Sequence, residues 1–70
     1  MSINSRQVIK VLKKQGWELK NTVGSHNHFV HPERKGKVTV PHPKKDLGKK
    51  TFKSILSQMG MTLEDFLKSL

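Results

Sequence analysis

Seventy residues hold one domain, taken here as 1–70, and leave room for only a thin core. No cysteine is present to staple it, and no apolar run approaches membrane-spanning length, which weighs against a small secreted domain or a membrane protein. Fourteen Lys and Arg against five Asp and Glu leave a net charge of +9, whose natural complement is a polyanion, nucleic acid before any other.

Read in chain order, residues Asn4 to Gln15 form a helix. Asn4 is placed to cap it, with Gln7 as the capping-box partner, and Ile3 and Val8 fit a hydrophobic staple around the cap. Val8, Val11 and Leu12 make an apolar stripe opposite Lys10, Lys13 and Lys14. The charges at Arg6, Lys10, Lys13 and Lys14 also break any signal-peptide pattern. Gly16 stops the helix. Three short strands follow, at Trp17–Lys20, His28–His31 and Lys37–Val40, separated by turns at Gly24 and at Pro32–Gly36. Connections this short pair the strands antiparallel. A second helix spans Lys49–Met59, with Phe52, Ile55, Leu56 and Met59 inward and Gly60 at its end. Thr62 then caps a short last helix lined by Leu63, Phe66, Leu67 and Leu70. The expected order is α-β-β-β-α-α, an α+β fold. Its helices cover the sheet face bearing Trp17, Leu19, Phe29, Val38 and Val40.

Side chains alternate across a strand, so the other face is left to solvent. It should collect Lys20, His26, His28, Lys37 and Thr39, provided the second strand begins at His26. Histidine moves protons near neutral pH, and lysine holds a phosphate and offsets its growing charge, so this face suits RNA cleavage. The blander readings stand beside it. His28 and His31 also read as ordinary polar strand residues, and His42, between two prolines, as a rigid-loop residue. His26 differs in standing next to the Gly24-Ser25 turn. His26 and His28 share a face as a metal pair would, but zinc needs three or four protein ligands. Nearby lysines and few carboxylates argue against it, so no metal and no cofactor is expected. Lys44, Lys45, Lys49 and Lys50 crowd the start of the second helix, where free N–H groups already attract anions.

The segment Gly24-Ser25-His26-Asn27-His28-Phe29 resembles the Gly-Ser-His-x-x-Phe signature of the HicA family of messenger-RNA-cleaving toxins. The resemblance continues through Val38-Thr39-Val40-Pro41-His42-Pro43, then through Leu47-Gly48-Lys49-Lys50-Thr51-Phe52-Lys53-Ser54-Ile55-Leu56, and on from Gly60 to Phe66. It implies a fold similar to a double-stranded-RNA-binding domain and metal-independent endonucleolytic cleavage of mRNA. His26 would be the catalytic histidine, and the first candidates for a complementary proton transfer are His28 and then His42. RNA contacts are expected from Lys20, Ser25, Lys37, Lys44, Lys45, Lys49 and Lys50. The implied partner is a HicB-type antitoxin covering the active face, and the implied setting is the cytoplasm. The chain departs from the family in one place. Asn21-Thr22-Val23 are neutral where a cation often precedes the Gly-Ser-His, so phosphate contact on that side rests on Lys20. Two other readings explain the charge: a small RNA- or ribosome-binding module without chemistry, and a basic face that docks an acidic protein.

Overall fold

The computed structural model describes residues 3–70; Met1 and Ser2 lie outside the described residues. Helix α1 spans Ser5–Lys14. Its start is fixed by the expected capping box: the Gln7 N–H donates to Asn4 Oδ1 at 2.8 Å, and the Asn4 N–H donates to Gln7 Oε1 at 3.0 Å. Each bond satisfies a donor that the first turn of a helix otherwise leaves unpaired. Ile3 and Val8 are both buried in the core beside the cap. Past the helix, Gly16 takes φ +94°, and a Cβ there would lie 2.9 Å from His31 Nε2, so both the backbone and the space call for glycine.

Strands β1 (Glu18–Val23), β2 (His26–His31) and β3 (Arg34–Pro41) form an antiparallel sheet in the order β1-β2-β3. The β1–β2 hairpin closes at Val23 and His26 around Gly24-Ser25. Gly24 has φ +59° and Ser25 does not have positive φ, the pattern of a type II′ turn, whose twist matches that of the flanking strands.

All three strands exceed their expected bounds, and β1 is displaced. Trp17 lies just before it, buried, with its ring edge-on to His31 at 5.3 Å. Leu19 is in register with Phe29, and Phe29 with Val38, so all three share a face. Yet Leu19 is 51% exposed, against the expectation that it joins the core. The helices pack chiefly over β3, and β1 is the far edge beyond their cover. Phe29, Val38 and Val40 are buried as expected.

Helix α2 (Lys49–Met59) buries Ile55, Leu56 and Met59 and ends on Gly60 in the left-handed conformation. Helix α3 (Leu63–Ser69) is capped by Thr62, whose Oγ1 accepts from the Asp65 N–H at 3.1 Å. Leu63 and Leu70, expected on its inner side, are exposed. A seven-residue helix meets the core along one narrow line, and Phe66 occupies it, edge-on to Phe52 at 5.0 Å. Lys14 Nζ donates to the Ser69 carbonyl at 2.9 Å and ties the ends of α1 and α3 together. The helices thus lie on one side of a three-stranded antiparallel sheet, a double-stranded-RNA-binding-like α+β arrangement. Among the described residues, no helix is long and apolar enough to cross a membrane.

Phe66 and Leu63 give a direct test of where α3 is anchored. Phe66→Ala is expected to cost about 3–5 kcal/mol, as for other large aromatic truncations in cores, and to loosen α3 from Phe52. Leu63→Ala, half exposed, should cost less than about 0.5 kcal/mol. Urea unfolding of the two variants measures both.

Candidate active site

The open sheet face is organised by its central strand. Phe29 points into the core, so His26, His28 and Val30 point away from it. Register then lays down three rows: Val23, His26 and Pro41; Asn21, His28 and Thr39; Glu18, Val30 and Lys37. Residues two apart in a strand are separated by roughly 7 Å, so His26 and His28 stand side by side with room for a phosphodiester between them.

The two histidines differ in their partners. The His26 side chain is exposed and, among the described residues, makes no hydrogen bond. His28 is half-buried and shares a 3.0 Å hydrogen bond between its Nδ1 and Thr39 Oγ1. If the hydroxyl donates, Nε2 of the neutral ring carries the proton. If Nδ1–H donates, Nε2 is bare in the neutral ring. In either case the ring's free edge is Nε2. Thr39 is itself fixed from behind, because its backbone N–H donates to Gln58 Oε1 on α2 at 3.0 Å.

Lys20 does not sit where alternation alone puts it. The register slips between Leu19 and Asn21, so Lys20 is the extra, unpaired residue of a bulge and Asn21 takes the place beside His28. The face is also less basic than expected, since Glu18 lies in the row of Lys37. Ser25 stands in the turn next to His26, exposed.

His42 is brought close to the turn but not onto this face. Its N–H donates to the Ser25 carbonyl at 2.7 Å. Pro41 is in register with His26, and the next residue points to the opposite side. There the His42 ring meets Ser5: Nδ1 and Ser5 Oγ are 2.7 Å apart. Ser5 is 1% exposed, and its Oγ also accepts from the Lys44 N–H at 2.9 Å. Ser5 has no local signal in the sequence that marks it, because its partners lie 37 and 39 residues away. His31 is a structural connector. Its Nδ1 accepts from the Glu33 N–H and its Nε2 faces the Gln15 carbonyl, each at 3.0 Å, so Nε2 carries the proton.

The remaining lysines lie off the sheet face. Lys44 and Lys45 are in the link between β3 and α2, and Lys49 and Lys50 open α2; all four are exposed. The N-cap of α2 is Gly48, without a side-chain cap, and no acid lies in the first turn. The one ion pair among the described residues is Lys68–Glu64 at 3.4 Å, so carboxylates inside the molecule leave the positive charge almost wholly uncompensated. No group of three or more His, Asp or Glu among the described residues is placed to hold a metal ion.

No curated protein matches the chain. A family model does: that of the HicA toxin of bacterial toxin–antitoxin systems, over residues 5–61. The matched span runs from the first residue of α1 to just past α2, and so takes in the whole sheet, the histidine-bearing turn and the lysines before and within α2. Over that span, covering most of its length, the chain belongs to the HicA family of toxins of bacterial toxin–antitoxin systems.

Proposed function

We propose that this chain is a metal-independent endoribonuclease that cuts mRNA in the cytoplasm, acting as one domain under the control of a HicB-type antitoxin. The observation that carries the reading is the side-by-side placement of His26 and His28 on the uncovered sheet face, with the His26 ring unengaged. In the proposed reaction one histidine takes the proton of the ribose 2′-hydroxyl and the 2′-oxygen attacks the adjacent phosphorus. The bond to the 5′-oxygen breaks, and the other histidine returns a proton to that oxygen. The products are a 2′,3′-cyclic phosphate and a 5′-hydroxyl. His26 is the principal group and His28 its complement, held by Thr39. His42, engaged by Ser5 on the other side, is assigned no proton transfer. Lys37 and Ser25 meet phosphates along the sheet, Lys20 does so from the bulge, and the lysines before and within α2 extend the track. Two histidines can move both protons of this reaction without a metal.

A lost general acid or base costs about 10²- to 10⁴-fold in rate. His26→Ala should therefore abolish detectable cutting of an mRNA fragment, with an unchanged circular dichroism spectrum. Substrate carrying 2′-deoxyribose at the cut position should be bound and left whole. Cleavage of either kind that persists would refute the assignment, and RNA binding without cleavage by the unaltered protein would make it a binding module.

Replacing both Lys49 and Lys50 with Gln should weaken RNA binding. It should also flatten its dependence on log salt by about 0.7–0.9 per lost phosphate contact. An unchanged slope moves the phosphate track elsewhere.

The antitoxin surface that meets this protein should be acidic, so association should be fast and salt-sensitive. It should also cover the rows of His26 and His28. On the His26→Ala variant, antitoxin and uncut RNA should compete in a fluorescence-anisotropy titration. Simultaneous binding without mutual weakening would instead require inhibition from a distance.

A further inference from the structure

Behind the turn that carries His26 lies an open groove of about 440 Å³, lined by Ser5, Arg6, His42, Lys44 and Lys45 among others, none of them acidic. We infer that this groove is a second RNA subsite, which holds a backbone phosphate of the strand flanking the cut. The inference rests on the ribonuclease reading above and names where that substrate continues once it leaves the sheet face.

Three features of the groove favour an anion. Its charges are Arg6, Lys44 and Lys45, all cations without a carboxylate partner among the described residues. His42 adds a ring whose free nitrogen, Nε2, can donate to an anion, because Nδ1 is taken up by Ser5 Oγ at 2.7 Å. The groove is also continuous with the reaction site. The His42 N–H is bonded to the carbonyl of Ser25, the residue before His26, and the reciprocal Ser5–Lys44 backbone and side-chain bonds hold the lysine-bearing link against α1.

Arg6 is the informative residue, because it stands in the first turn of α1, where a cation opposes the helix dipole and no acid offsets it. Its removal relieves that opposition, so the fold does not depend on it. Arg6→Glu should leave the melting temperature unchanged or raised. It should weaken binding of an uncleavable oligonucleotide, with 2′-deoxyribose at the cut position, by tenfold or more, and raise KM with kcat within about twofold. Its salt slope should fall by about 0.7 for the lost single-strand phosphate contact. Lys10→Glu, on the outer face of α1, makes the same change in net charge and is the control; it should change neither constant appreciably. Inorganic phosphate at 1 mM should not displace the oligonucleotide, as it would from a site built for the free ion. Losses of equal size in the Arg6 and Lys10 variants, a fall in kcat at constant KM, or displacement by 1 mM phosphate would each overturn the groove while leaving the nuclease reading in place. Failure of the unaltered protein to bind the oligonucleotide would overturn both.

Discussion

Everything on the open face follows from the burial of one ring. Phe29, 1% exposed, is the inward residue of the central strand of the sheet, and it sets the phase of that strand. A slip of a single residue would turn Phe29 to water and His26 and His28 into the space beneath the helices. The cost of exposing a phenylalanine, about 1.5–3 kcal/mol before any loss of packing, is large against the modest stability of a chain this size. The same hydrophobic force that builds the core therefore fixes where the histidines stand. Neither needs a dedicated support to face outward, and only His28 has one in Thr39.

The uncompensated charge works against that core. With one surface ion pair among the described residues and a formal charge of +9, the cations repel one another in the folded state more than in the expanded chain. Arg6 in the first turn of α1 and Lys49 and Lys50 in that of α2 add local opposition from the helix dipoles. A bound polyanion removes both penalties at once. A partner that binds only the folded form stabilises it by mass action, whether that partner is RNA or an acidic protein.

The elements with strong local signals were legible in the sequence. The Asn4–Gln7 box, the Thr62 cap and the bounds of α2 follow from short-range chemistry, and the outward placement of His26, His28 and Lys37 follows from alternation. Expectation failed where the cause is tertiary. Leu19 has the right parity for the core, but it lies on an edge strand that the helices do not reach. Lys20 fell out of register because one extra residue was accommodated by a bulge, which no composition signal marks. The partner of the His42 ring, Ser5, stands 37 residues away in the chain and has no local signal in the sequence.

That last contact has a bearing on how the protein comes into being. The start of α1 is held from the middle of the chain: the Ser5 N–H by the Lys44 carbonyl, and the Ile3 carbonyl by the Leu47 N–H. During synthesis the strand that carries His26 and His28 leaves the ribosome before residues 44–47 do. A nascent chain at that stage has both histidines but no anchored first helix, no basic groove and no roof over Phe29. The order of emergence thus delays assembly of the full site until residues 44–47 have left the ribosome, the very machine whose message it is proposed to cut.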